Sequence, residues 1–186
     1  MTRNEQLAVM ERMFTWDEEC VGHFKLSFLA QYEILNKIMD ACAERFLRLG
    51  SPRVDYFVYR EYVYVIYAQI SLVIECLVKC ILEENGYTEK EIRKRGHHLE
   101  KLLDELLNIS SEEVKDIFSV LNHHREIIEY FVTENVFVNA RYMEYKYEIS
   151  MHHIEKVKGL IIDLDYIYDK YYRNYDIESI VYPDTM

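Results

Sequence analysis

Residues 69–103 read QISLVIECLVKCILEENGYTEKEIRKRGHHLEKLL, and this stretch decides the fold. It opens with a segment that is apolar almost all round: Ile70, Leu72, Val73, Ile74, Cys76, Leu77, Val78, Cys80, Ile81 and Leu82. A helix of this kind belongs in the middle of a bundle, because none of its faces suits water. Its few polar residues recur every four positions. Ser71, Glu75, Lys79 and Glu83 form one narrow stripe, and Glu75 precedes Lys79 in the favourable order for an i,i+4 pair, worth about 0.2–0.5 kcal/mol if exposed. Asn85-Gly86 predicts a left-handed cap that stops the helix. A charged connection follows, then Gly96-His97-His98-Leu99 and a second helix through Leu107.

Working outward, residues 53–68 (RVDYFVYREYVYVIYA) are dense in Tyr and Val and could pass for a strand. They run into the apolar helix with no breaker, so they are read as its first turns. Tyr56, Tyr59, Tyr62, Tyr64 and Tyr67 each bring a ring for packing and a hydroxyl that needs a partner. A base-stacking platform is the functional alternative. Upstream, Leu7, Met10, Met13 and Phe14 suggest a short amphipathic helix. From Asp17, the spacing of Phe24, Phe28, Ile34, Leu35, Ile38, Met39, Cys42, Phe46 and Leu49 predicts a longer one, ended by Gly50-Ser51-Pro52.

Downstream, Ser110-Ser111-Glu112-Glu113 fits a capping box with Ser110 as N-cap. One helix is expected from there to about Glu134, with Val114, Ile117, Phe118, Leu121, Ile127, Ile128 and Phe131 inward. Residues 135–144 read as an irregular connection. A last helix is expected over about 148–172, with Ile154, Val157, Leu160, Ile161, Leu164, Ile167 and Tyr168 as its stripe. The expectation is an all-α, up-and-down bundle of about five helices forming one compact domain. Residues 1–50 are an N-terminal elaboration packed on it, 51–173 the bundle, and 174–186 an acidic tail.

The whole chain has 186 residues, half of them hydrophobic, and only two prolines. This composition suits a packed core and not a disordered chain. With 22 basic and 33 acidic residues the net charge is −11, which disfavours wrapping by nucleic acid but leaves room for a local basic site. Cys20, Cys42, Cys76 and Cys80 form no Cys-x-x-Cys pattern, so reduced thiols are expected. The N-terminus lacks the apolar core of a signal peptide, and no uninterrupted apolar run approaches the roughly 18 residues of a membrane span. The expected location is cytoplasmic, with no membrane partner.

The chemistry-bearing residues cluster in 87–98 (YTEKEIRKRGHH). Arg93, Lys94, Arg95, His97 and His98 make it the most basic window of an acidic chain, where a connection meets a helix N-terminus. His97-His98, His123-His124 and His152-His153 are adjacent pairs. Neighbours on a helix diverge by about 100°, so no pair chelates a metal from regular helix, and no metal or cofactor is expected.

The order of Glu75, Lys79, Gly86, Gly96-His97, Leu99, Leu102-Leu103 and Arg141-Tyr142 resembles the HEPN family of small helical domains. Its pattern is a hydrophobic helix with Glu and Lys four apart, then a Gly-containing loop, Gly-His-Asp-Leu opening a helix, and a later Arg-Tyr-Pro-like element. Here His98 stands for the Asp and Met143 for the Pro. The likeness spans about residues 60–170. It implies a homodimer and two possible modes of action. Many family members are metal-independent ribonucleases in which an Arg and a His four to six residues later do the work. The His moves a proton and the Arg stabilises the phosphate charge. In this chain Arg125 has no such His, and ten residues separate Arg141 from His152. The formal match Arg93–His98 lies in the wrong place.

Family members without the motif are binding or assembly modules, some paired with nucleotidyltransferases or cognate antitoxins in toxin and defence systems. The leading expectation is therefore a non-catalytic module that binds a protein partner or a nucleotide or RNA phosphate. Arg93, Lys94, Arg95, His97, His98, Arg141 and Tyr142 are its candidate ligand residues, and Glu75 and Lys79 its central polar pair. The alternatives are a ribonuclease with a rearranged site drawn from Arg93, His97, His98 and Arg125, and an acidic regulator that binds only protein. Two structural roles compete with ligand binding: an ion pair of Arg141 with Glu75, and a helix cap or core hydrogen bond for His97.

Overall fold

A computed structural model describes Arg3 and residues 23–49, 55–141 and 149–174. Among the described residues there are helices and turns and no strand, so the fold is an all-α bundle. The elements are α1 (His23–Leu49), α2 (Asp55–Glu84), α3 (Glu89–Lys94), α4 (Leu99–Leu106), α5 (Glu112–His123), α6 (Arg125–Thr133), α7 (Val136–Arg141) and α8 (Met151–Ile167), which runs into a π-helical turn, Tyr168–Tyr172.

Everything is built on α2. From Asp55 the Tyr/Val-rich segment is helical and continuous with the apolar one, with Tyr64 and Tyr67 buried and Val65 41% exposed. Ile70, Val73, Ile74, Leu77, Val78, Cys80 and Leu82 are fully buried, and α1, α7, α4, α6 and α3 all pack against this helix. The window Tyr62–Glu84 has the length and average apolarity of a membrane-crossing helix even though charges interrupt it, but 72% of it is buried inside the protein. It therefore serves as a core helix. Gly86, at φ +88, closes it in a Schellman cap: Tyr87 N–H donates to Leu82 O at 3.1 Å and Gly86 N–H to Glu83 O at 3.0 Å.

Helix α1 lies along α2 through Phe24, Phe28, Leu29, Tyr32 and Leu35. Ile34, expected inside, is 42% exposed; Leu29 and Tyr32 fill that face instead. Tyr32 Oη donates to Asp165 Oδ1 at 2.6 Å and its ring stacks on Tyr168 at 4.1 Å, which fastens α1 to the end of α8. At the N-terminal end of α1, Glu83 accepts the Phe24 N–H at 3.1 Å and Glu84 pairs with Lys25 at 2.7 Å.

Three local expectations are corrected. The helix expected over 111–134 is broken at His124, which ends α5 and begins α6 at φ −99 and ψ 15. The Ser110–Glu113 capping box is not formed: Ser111 is the N-cap and its side chain makes no cap bond. Residues 136–141 are the helix α7, packed on α2, where an irregular connection was expected. The segment 142–148, the N-terminal amphipathic turn and the acidic tail from 175 lie outside the described residues.

Candidate functional site

The polar stripe of α2 is not a solvated edge. Glu75 and Lys79 are 7% and 8% exposed, so the pair is a buried ion pair. Lys79 Nζ donates to Glu75 Oε1 at 2.6 Å and lies 5.8 Å from the centre of the Phe24 ring of α1. The same Glu75 oxygen is 2.8 Å from Nδ1 of His97, which reaches in from the loop before α4. A buried carboxylate thus carries two nitrogen partners: one on its own helix, and one on a side chain that is itself 77% exposed. Of the structural roles considered for His97, the core hydrogen bond is realised; the cap position falls to His98, which makes no side-chain cap bond.

The loop 95–98 is held from a second side. Arg95 donates through one terminal nitrogen to Glu91 O at 2.7 Å, its Nε lies 3.0 Å from Glu105 of α4, and its guanidinium covers the Tyr87 ring at 5.1 Å. The Glu105 carboxylate pushes the guanidinium further toward its charged form. Arg95 is therefore a structural clamp. Gly96, at φ +65, makes the turn between α3 and α4 that sends His97 back toward α2. Helix α3 is short but well started: Thr88 and Glu91 form a capping box, with Thr88 Oγ1 accepting the Glu91 N–H and Glu91 accepting the Thr88 N–H.

Outward from this anchored loop stand Arg93, Lys94 and His98, all exposed. Arg93 pairs with Glu89 on its own helix at 2.5 Å. Lys94 and His98 have no side-chain partner among the described residues. Of the other candidates, Arg125 starts α6 and is tied to Asp104 of α4 at 2.7 Å and Glu129 at 3.1 Å. Arg141 ends α7; its side chain, and with it the ion pair to Glu75 considered above, lies outside the described residues, as does Tyr142. The structure thus brings Glu75, Lys79 and His97 into one contact group beside the basic end of α3, and gives Arg125 a different set of partners.

Three other histidines have partners of their own. His124 is buried with Nε2 2.6 Å from Asp163, His152 faces Glu126 at 2.9 Å, and His153 stacks on Tyr130 at 4.0 Å. No group of three metal-ligating side chains is assembled among the described residues. A cleft of about 350 Å³ between α2, α5 and the π turn is lined by Glu84 and Glu113, which disfavours an anionic ligand there; another of about 260 Å³ lies between α6 and α8. Neither contains a residue of the 93–98 window. Of the α2 tyrosines whose side chains are described, Tyr64 and Tyr67 are in the core and present no stacking face. The His97–Glu75 contact, 22 residues apart in sequence, is the feature that sequence reasoning missed. Both residues were candidates, but nothing in the spacing paired them.

No family model matches the chain, and no curated protein or solved structure is significantly similar to it.

Proposed function

We propose that this chain is a HEPN-like helical module that does not cut RNA and acts by binding, with the loop 93–98 as its contact face for the phosphate of a nucleotide or RNA. The observation that carries this reading is the anchoring of His97. A buried Glu75–Lys79 pair fixes the imidazole from within, while Arg95 clamps the loop behind it. Arg93, Lys94 and His98, close to His97 in the chain, are exposed, in a protein of net charge −11. Preorganisation lowers the ordering cost of binding.

Arg125, which the nuclease reading draws on, is held by Asp104 of α4 and by Glu129. The expected setting is a homodimer in the cytoplasm, working with a protein partner such as a nucleotidyltransferase or antitoxin in a defence or toxin system. One observation favours the ribonuclease alternative: a His whose Nδ1 rests on a carboxylate leaves Nε2 available as a general base.

The two are separated by incubating the purified protein with RNA, with and without EDTA, beside a His97→Ala/His98→Ala variant, while fluorescence anisotropy follows a labelled 5′-phosphorylated oligoribonucleotide. Binding without cleavage, weakened by Lys94→Glu and by rising salt, is the expected result. Cleavage that survives EDTA and disappears in the double variant would establish the nuclease. Neither binding nor cleavage would leave a module that binds only protein.

A further inference from the structure

We propose that Glu75 is the positioning residue of the ligand loop: seated on Lys79, it holds His97 with the proton on Nδ1, turns Nε2 outward, and couples phosphate binding to the uptake of a proton at Nε2. The inference rests on the phosphate reading of the same loop and says how that site is set.

The argument begins with the hydrogen-bond inventory. A carboxylate only accepts, and Glu75 already accepts from the buried Lys79 Nζ at 2.6 Å. The nitrogen 2.8 Å from the same oxygen must therefore carry a hydrogen. Neutral His97 is then the Nδ1–H tautomer, the minority form of a free histidine side chain, and its Nε2 holds a lone pair. The ring is 77% exposed by side chain while Glu75 is 10% exposed, so the fixed edge is inside and the other edge is in water. A phosphate arriving at the exposed edge of His97 meets a lone pair if the ring is neutral and a donor if it is charged. It therefore selects the imidazolium, in which Nδ1–H donates to Glu75 and Nε2–H to the phosphate. One proton passes from solvent to Nε2 for each neutral ring so occupied. The charged group in contact with the ring is Glu75 from α2, backed by Lys79; Arg93 and Lys94 lie at the end of α3, with Glu89 against Arg93, and Arg95 is held by Glu105.

Long-range ¹H–¹⁵N correlation of the imidazole, assigned with His97→Gln, reads the tautomer directly and needs no ligand. The expected result is Nδ1–H in the native protein and a shift to Nε2–H in Glu75→Leu/Lys79→Met, a variant that removes both buried charges and so keeps the core neutral. Nε2–H in the native protein, or a tautomer unchanged in the double variant, overturns the positioning role. Titration calorimetry with inorganic phosphate in buffers of differing ionisation enthalpy then reads proton uptake at about pH 7.5, above the ordinary range of histidine. Uptake is expected in the native protein and its loss in His97→Gln. Glu75→Gln should bind phosphate about tenfold more weakly, because the carboxylate charge no longer supports the imidazolium. Phosphate binding with no proton uptake overturns the coupling and leaves the binding reading standing. No phosphate binding with the expected tautomers overturns the binding reading, and the coupling with it, while the role of Glu75 survives.

Discussion

His124 Nε2 lies 2.6 Å from Asp163 Oδ2, and this contact joins the corner between α5 and α6 to the middle of α8. His124 is 5% exposed, and its Cε1 would lie 3.3 Å from a Cβ built on Gly159, one helical turn before Asp163. The ring, the carboxylate and the missing side chain form one fitted set. Asp163→Asn keeps a hydrogen-bond acceptor but removes the charge, whereas His124→Ala removes the ring and opens space in the core. His124→Ala should cost about 1–3 kcal/mol in chemical denaturation, the usual range when a buried polar contact is broken, with Asp163→Asn costing less.

Gly159→Ala is the complementary measurement. In a helix interior the change ordinarily gains about 0.5–1 kcal/mol. Here the new methyl meets the imidazole, so the gain should vanish or reverse in the native background. It should return in the His124→Ala background, a coupling that a double-mutant cycle reads directly. Additive effects would mean that Gly159 is not there for the ring.

The same His marks where sequence reading runs out. The periodicity of Val114, Ile117, Leu121, Ile127 and Ile128 passes smoothly through 123–125, so nothing local announces a break; the turn is imposed by a partner on another helix. The two serines at 110 and 111 both suit an N-cap, and which one is used depends on how the α4–α5 connection packs. The sequence Thr88-Glu89-Lys90-Glu91 carries the same capping pattern and does form the box, but it was hidden inside a window read for its charge. By contrast α2 and its Gly86 cap were legible, because an all-round apolar helix and an Asn-Gly stop depend on local properties. Glu75, Lys79 and His97 were legible as residues and not as a group, since four-residue spacing cannot say whether a pair faces water or another helix.

The burial of that pair has a consequence for stability. Lys79→Met alone would strand the Glu75 carboxylate in the core beside a single imidazole, and removing one partner of a buried pair commonly costs about 3–5 kcal/mol. Glu75→Leu/Lys79→Met should recover most of that loss. Denaturant midpoints for the single and double variants test the claim; a Lys79→Met loss below about 0.5 kcal/mol, the scale of a surface pair, would mean the pair is solvated.

The described cysteines should separate by reactivity. Burial pushes the Cys76 thiol up to about 11 and holds Cys80 higher still, its sulfur 4.0 Å from Tyr172 Oη; Cys42 is also raised but is partly exposed. Thiolate is the reactive form. Under native conditions a maleimide or disulfide reagent should label Cys42 well before Cys76 or Cys80, with all three becoming equivalent in denaturant. Mass spectrometry after a timed pulse gives the order, and early labelling of Cys80 would contradict the packing of α2.

The C-terminal turn should loosen in acid. Asp116 of α5 accepts from Tyr171 Oη at 2.7 Å and Lys170 Nζ at 3.0 Å, and these bonds, Tyr171 first, hold its carboxyl below the usual range. A carboxylate whose folded value is depressed contributes stability that is present above its unfolded value and lost as pH falls through the folded one. The π-helical turn Tyr168–Tyr172, closed by Arg173 N–H donating to Tyr168 O at 2.9 Å, depends on that anchor at its outer face. Hydrogen exchange over 168–173, corrected for the intrinsic effect of pH, should quicken as pH drops below the ordinary carboxylate range, while the centre of α2 stays protected. Asp116→Asn should show the quickened exchange already at neutral pH and lose the acid response, because it keeps an acceptor for Tyr171 but no charge for Lys170. If the variant exchanges like the native protein at both pH values, the turn is held by the burial of Tyr172 against Phe28, whose rings lie 4.9 Å apart, and Asp116 is incidental to it.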